Sequence, residues 1–305
     1  MLPLLFLTSL VTFFLYSHQP GDPVYSYVPL DTPKEDVERV RHAMGLDQPW
    51  NVQYWRWLSA AVRGDLGRSM HDRQRVAEKF AGAIPVTLGV FGLGFLISFV
   101  LGIAVGVLAA VKRGSWFDIV TTLWVYLGQA VPGFWFALML ILVFTAQLHL
   151  LPALGLHTPR LKPSFGDTAL HLVMPVGVIV WESIAGWARY VRGSMLEVLR
   201  LDFVRTARAK GLAARVVLYK HALRNALLPV ITFLGFSLSG LVGGSVVLEK
   251  IFAIPGMGRV TIDAAFTQDY PVLMAAGLLF PVLTMGGLLL SDLLYSVVDP
   301  RIRYT

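Results

Sequence analysis

Residues 86–111 read VTLGVFGLGFLISFVLGIAVGVLAAV, without a single charged side chain. A helix rises about 1.5 Å per residue, so roughly 20 residues cross the hydrocarbon core of a bilayer, about 30 Å thick. This stretch is long enough to span it. Five further runs of the same character lie around it: Met1 to Ser17, Ile119 to Gln147, Ala169 to Ala188, Ala226 to Leu248 and Val272 to Val298. Glu182 and Asp292 are single acids in the fourth and sixth runs. The first run is short and no basic residues precede it. It reads as a shortened span or as a signal peptide, and the absence of a basic leader and of a small-x-small cleavage site before Gln19 favours the span.

Composition points the same way. Of 305 residues, 55% are hydrophobic and 28 more are glycine, while 15% are charged, against about 25% in ordinary globular domains. The mean hydropathy is +0.63. A soluble enzyme is excluded. With no cysteine, the chain has no disulfides, thiolate nucleophiles, Cys-ligated zinc or iron–sulfur clusters. The expected fold is an all-α integral membrane protein: six transmembrane helices, with a helical extracytoplasmic loop over 18–85, a five-helix core over 86–298 and a short tail over 299–305.

Charge sets an orientation. The connections 112–118 and 189–224 and the tail hold 13 of the 26 Lys and Arg residues, whereas 148–167 and 249–271 hold four. Positive-inside logic places the first group, with the C-terminus, in the cytoplasm. The long 18–85 loop is no counterexample, because its nine basic residues meet nine acids. The net charge of +7 is concentrated in 189–224, where nine basic residues face only Glu197 and Asp202. A basic face beneath a membrane is a topology signal, so no nucleic-acid partner is expected; membrane lipid is.

Three segments carry more than lipid contact. In 18–85, Thr32-Pro33-Lys34-Glu35 has the form of a capping box, opening a helix that stops at Gly45. A second helix, Trp50 to Val62, carries aromatics suited either to the membrane boundary or to a protein contact. The 189–224 connection is far longer than a helical turn needs, and its stretch Asp202-Phe203-Val204-Arg205-Thr206-Ala207-Arg208-Ala209-Lys210-Gly211-Leu212 reads as a short helix with small residues that admit another protein, or as a surface-lying amphipathic helix. In 249–271, Pro255, Gly256 and Gly258 interrupt any helix, giving a turn that dips toward the bundle or an ordinary connection.

The string from Asp202 to Leu212, followed by His221-Ala222-Leu223-Arg224-Asn225-Ala226-Leu227-Leu228-Pro229, resembles the cytoplasmic loop of the inner-membrane permeases of dipeptide, oligopeptide and nickel ABC importers. Pro20-Gly21-Asp22-Pro23, Gly64-Asp65-Leu66-Gly67, Gly243-Gly244-Ser245, Asp269-Tyr270-Pro271 and Asp299-Pro300-Arg301-Ile302-Arg303 are similar to that family's landmarks, so the resemblance covers almost the whole chain. The general Glu-Ala-Ala-x3-Gly pattern is here Arg205-Thr206-Ala207 before Gly211.

The resemblance implies a permease of the type I ABC importer kind, paired with a second homologous permease, two ATPase subunits and an extracytoplasmic solute-binding protein. Peptides are the implied cargo, with nickel, glutathione or another small solute as alternatives. No cofactor is expected on this chain: it has no Gly-x4-Gly-Lys-Ser/Thr string, so ATP and magnesium belong to the partner ATPases. Coupling to them is expected through a helix of Arg205, Thr206, Ala207, Arg208, Ala209, Lys210, Gly211 and Leu212, with Ala207 and Gly211 on one face as points of closest approach.

Glu182 is expected to face the bundle interior, since an ionised carboxylate at mid-span costs on the order of 2.5–3.5 kcal/mol. It lines a translocation pathway with Gln129, Trp135 and Ser183, or it pairs structurally with Arg189 two turns on. An external gate is expected over Phe252, Pro255, Gly256 and Gly258. Two Gly-x3-Gly spacings mark helix packing: Gly102 with Gly106 inside the chain, and Gly240 with Gly244, beside Gly243, at the seam with the second permease. The competing class is an ion-coupled secondary transporter using Glu182 and Asp292. A hydrolase finds no support, because the seven histidines fall at loops or span ends without a His-x3-His or Glu-x2-His pair; no catalytic residue and no metal site is expected.

Overall fold

Lipid offers no partner for a backbone N–H or C=O, so a chain of apolar runs satisfies its backbone within helices. The computed structural model describes residues 2–18, 23–26, 28, 29, 31–159, 162, 164–230 and 245–298. Among them the backbone is helix and turn, with one isolated bridge between Arg68 and Arg75. The helices are α1 (Leu2–Ser17), α2 (Lys34–Met44), α3 (Trp50–Val62), α4 (Val76–Val111), α5 (Trp116–Ala130), α6 (Gly133–Leu140), α7 (Phe165–Val198), α8 (Asp202–Ala209), α9 (Ala214–Val216), α10 (Ser245–Ile251), α11 (Met257–Phe266) and α12 (Tyr270–Val298). α6 widens into a π-helical stretch over Ile141–Gln147, and α9 does the same over Val217–Leu223 before returning to α-helix over 224–230.

Five of the six expected apolar runs are helical. α4, α7 and α12 are long and apolar enough to cross a membrane, α5 with α6 forms a bent pair, and α1 is apolar but has 16 residues. The fifth run lies largely in 231–244, outside the described residues, and with it Gly240, Gly243 and Gly244. The tail 299–305 and the side chain of Asp292 lie outside them too.

Helix bounds depart from the apolar runs in three places. α4 begins at Val76 rather than Val86, and α7 continues to Val198 rather than ending at Ala188. Hydropathy marks where lipid begins and ends, whereas the charged turns around Glu78 and Lys79, and around Arg189, Arg192 and Glu197, stay helical in water. At 34 residues α7 is about 51 Å long, more than a bilayer with its headgroups requires. The third run is not one helix: α5 and α6 meet at 96°. Val131 precedes Pro132 and is extended (φ −86°, ψ 117°), and Pro132 has no N–H to continue the ladder. The capping box at Thr32 does not form either. Pro33 is the residue before the helix and no side chain caps it, while Gly45 does end α2 in the left-handed region (φ 68°).

The chain divides into two compact units. In the first, residues 1–87 with 255–285, α3 packs along α1: Tyr54 is buried, its hydroxyl 2.9 Å from Ser9 Oγ, with Phe13 ringed by Tyr54 and Trp57. The carboxylate of buried Asp269 accepts from Ser69 Oγ (2.5 Å) and Met70 N–H (3.0 Å), tying the 64–75 segment to the turn before α12.

In the second unit, residues 88–254 with 286–305, α4 packs on α7 through glycines. A Cβ at Gly102 would collide with Trp187, and one at Gly106 would meet the Ala188 carbonyl at 2.7 Å, so the first Gly-x3-Gly pair serves internal packing as expected. Phe95 and Phe99 flank Trp187 edge-on.

Candidate functional site

α8 is seated on the long helices by two side chains. Val204 and Ala207 are buried in a cluster with Val107, Trp187, Val191, Met195, Val217 and Ala222. The other side of α8 is exposed and basic: Arg205, Arg208 and Lys210 point to solvent, Phe203 and Leu212 beside them. Among the described residues Arg205 is held only by a 3.4 Å contact with exposed Asp202, which is worth little in water.

The helix ends at Ala209, and Gly211 follows it in the left-handed region (φ 74°). The Gly211 N–H donates to Arg208 O (2.9 Å) and the Leu212 N–H to Ala207 O (3.4 Å), the paired bonds of a Schellman turn with glycine at its C′ position. The expected shared face of Ala207 and Gly211 is thereby corrected. Ala207 points into the core, and a Cβ at Gly211 would meet nothing within 4 Å. The left-handed backbone at Gly211 is one that glycine adopts without strain.

The second constellation lies where α7 crosses the α5–α6 bend. Residues 182, 185, 189 and 192 of α7 form one stripe, three and four residues apart. Arg192 holds Asp118 bidentately, Nε to Oδ1 at 2.6 Å and Nη2 to Oδ2 at 2.9 Å. Arg189 donates to Gln129 Oε1 (3.1 Å), so its partner is not Glu182. Ala185 packs against Gly128. Glu182 accepts from the Gly133 N–H at the start of α6, so closely that a Cβ on residue 133 would overlap its carboxylate. A carboxylate there satisfies an orphan N–H and the positive end of the helix dipole.

Of the expected pathway residues, Gln129 and Glu182 therefore border one bend. Trp135 stands two positions beyond Gly133 and is exposed, and Ser183 leaves α7 on a neighbouring face, half-buried. Trp181 was not singled out by sequence. Its ring stacks on Phe136 (5.0 Å) and meets Trp124 edge-on, and its buried indole N–H has no partner among the described residues. Asp118 and Arg192 were also missed as a pair; one signal was present, because Ser115-x-x-Asp118 and Ser164-x-x-Asp167 are capping patterns that open α5 and α7.

The expected gate is partly a fixed turn. Phe252 and Ile254 are buried, and the Phe252 carbonyl accepts from the Gly155 N–H (2.8 Å). Ala253 takes the left-handed conformation (φ 51°) that usually calls for glycine. Exposed Pro255 and buried Gly256 interrupt the helix as expected. Gly258 does not, being inside α11, whose start is capped by Thr87 Oγ1 accepting from Met257 N–H (2.9 Å). Among the described residues no cluster of His, Asp or Glu has metal-site geometry.

Long and bent apolar helices, with the short basic helix α8 seated on α4 and α7, suit a membrane-embedded transport component. Residues 102–304 match the binding-protein-dependent transport system inner membrane component, and residues 1–91 match the N-terminal membrane component of the same systems. The chain belongs to this family, the multi-pass inner-membrane part of ABC transport systems, which work with ATPase subunits and a binding protein.

It is 39% identical to the oligopeptide transport system permease protein AppB of Bacillus subtilis over 99% of this chain and 96% of that protein. It is 37% identical to the glutathione transport system permease protein GsiC of Escherichia coli over 100% and 96%. Its fold is similar to that of an inward-facing structure of the MetNI methionine ABC transporter (TM-score 0.58, 19% identity, 72% of this chain and 96% of that one).

Proposed function

We propose that this chain is the permease subunit of an ATP-driven importer that carries peptides across the cytoplasmic membrane by alternating access. The reading is supported above all by the seat of α8: a helix whose buried side locks onto α4, α7 and 217–230 while its basic side is free transmits any push from a docked partner into the long helices. In this reading Arg205, Arg208 and Lys210 meet an acidic ATPase surface, Thr206, Ala209 and Leu212 complete the contact, and the Gly211 turn fixes the exit of the chain. ATP and magnesium bind in two partner ATPases, and a second homologous permease completes the pathway. The segments 112–118 and 189–224 and the C-terminus face the cytoplasm, as the Lys and Arg distribution supports.

In the cycle we propose, the resting path opens inward, ATP binding closes the cytoplasmic side and opens the outer side to the docked binding protein, and hydrolysis resets it. Gln129, Trp135, Glu182 and Ser183 border the path, and the turn from Phe252 through Pro255 and Gly256 to Gly258 gates its outer end. Peptide is the cargo favoured by the relatives' names; glutathione, nickel or another small solute are the alternatives, selected by the binding protein. In proteoliposomes holding all subunits, uptake is expected to require ATP on the α8 side and loaded binding protein on the other. Uptake driven by an ion gradient without ATP overturns the reading in favour of a secondary transporter.

A further inference from the structure

A cavity of about 310 Å³ at the C-terminal end of α1 has no part in the roles above, and its volume falls within the usual range for small-molecule sites. Thr12 of α1 lies against Gly277 of α12, and further along Tyr16 and Ser17 share the cavity with Tyr270 and Met274, so the two helices run antiparallel where they meet. The end of α1 (Tyr16, Ser17) and the start of α12 (Tyr270, Pro271, Met274) therefore leave the apolar region at one level, and both line the cavity. Exposed Trp50 and Trp55 on α3 suit that boundary. The wall is aromatic and thioether: Phe13, Trp57, Met44, Met70 and Met274.

Polar groups are few. Gln53 lines the cavity, but its amide is already used on the carbonyls of Leu46 (3.2 Å) and Gln48 (2.7 Å). Arg56 lies over Gly45, exposed, and forms no ion pair among the described residues. The site thus offers one unneutralised cation beside an apolar chamber. The hydroxyls of the wall are those of Tyr16, Ser17 and Tyr270, too few to pair the donors and acceptors that each peptide unit brings. A hydrocarbon chain brings none.

We propose that this cavity holds an acyl chain of an anionic phospholipid, with the phosphate on the Arg56 guanidinium. Such a lipid would join α1, the α2–α3 turn and the start of α12, all within the first unit. The proposal does not depend on the transport reading, because it rests on the cavity and on its place at the bilayer boundary.

The test uses the assembled importer in phosphatidylcholine nanodiscs doped with phosphatidylglycerol bearing a mid-chain diazirine. After illumination, adducts are expected in the peptides containing Trp57, Met70 and Met274. Filling the chamber with Ala60→Phe is expected to reduce these adducts roughly tenfold, and Arg56→Gln to weaken competition by unlabelled phosphatidylglycerol by a similar factor, the loss of one charge-assisted contact. Labelling near Leu289 and Leu290, on the exposed side of α12, should not change and reports folding. If Ala60→Phe fails to fold, Arg56→Gln, which leaves the wall intact, decides. Equal labelling by a phosphatidylcholine probe, with no effect of either variant, overturns the proposal in favour of ordinary annular lipid. Displacement of the label by peptide delivered from the binding protein also overturns it, and assigns the cavity to cargo.

Discussion

Gly211 separates two explanations that look alike in sequence. If it admits a partner surface, any side chain at this position should block coupling in proportion to its size. If it serves the left-handed C′ position of a Schellman turn, conformation decides, and an L-residue costs roughly 1–2 kcal/mol there while asparagine costs less. The positive φ of 74° and the paired hydrogen bonds to Arg208 and Ala207 support the second. Uptake at matched protein level is therefore expected to fall in the order Gly211→Asn, Gly211→Ala, Gly211→Val, and an Asn variant worse than Ala would refute the turn.

Glu182 and Gly133 make a second test at this scale, because the methyl of Gly133→Ala would occupy the place of the carboxylate. Gly133→Ala and Glu182→Ala should each reduce transport, but the double variant should be no worse than Glu182→Ala alone. Additive losses would mean that the two residues act separately.

At the scale of elements, the register of α7 on the α5–α6 bend rests on ion pairing at one end. Asp118 is 5% exposed, and removing Arg192 leaves that carboxylate buried without its counter-charge. The Arg192 side chain is 30% exposed, so the cost should fall below that of a fully buried pair, about 1.5–3 kcal/mol. Thermal unfolding in detergent of Arg192→Ala, Asp118→Asn and the double variant should give a coupling energy of about 1–2 kcal/mol; zero coupling would show that the pair is incidental. A different element carries a strained turn. Ala253 sits left-handed after α10, and the Ala253 N–H donates to Lys250 O (3.3 Å) and the Ile254 N–H to Glu249 O (2.9 Å). Ala253→Gly should stabilise the protein by about 1 kcal/mol in the same assay.

For the whole molecule, the absence of cysteine makes topology directly measurable. Single cysteines at Lys210 and at Asp47, in intact cells, should react oppositely with an impermeant maleimide: Asp47→Cys labelled from outside, Lys210→Cys only after the membrane is opened. Labelling of Lys210→Cys from outside would invert the topology drawn from charge. The same variants, assembled with ATPase partners, should show Lys210→Cys protected if α8 is covered.

The apolar runs determined that this chain lives in a membrane as helices, and five of the six are helical where described, because an unpaired backbone in lipid is too costly for any alternative. The motif string at 202–212 likewise located α8, and Gly45 correctly ended α2. Helix ends were not legible from hydropathy: α4 and α7 run on into water, where helical bonding needs no lipid. The 96° bend was written in Val131-Pro132-Gly133, two local rules that the length of the apolar run concealed. The burial of Ala207, the grip of Arg192 on Asp118 and the seat of Glu182 at Gly133 were decided only by the tertiary structure. Each joins groups 49 or more residues apart, or sets a face by what lies opposite it, and no spacing along one helix carries that information.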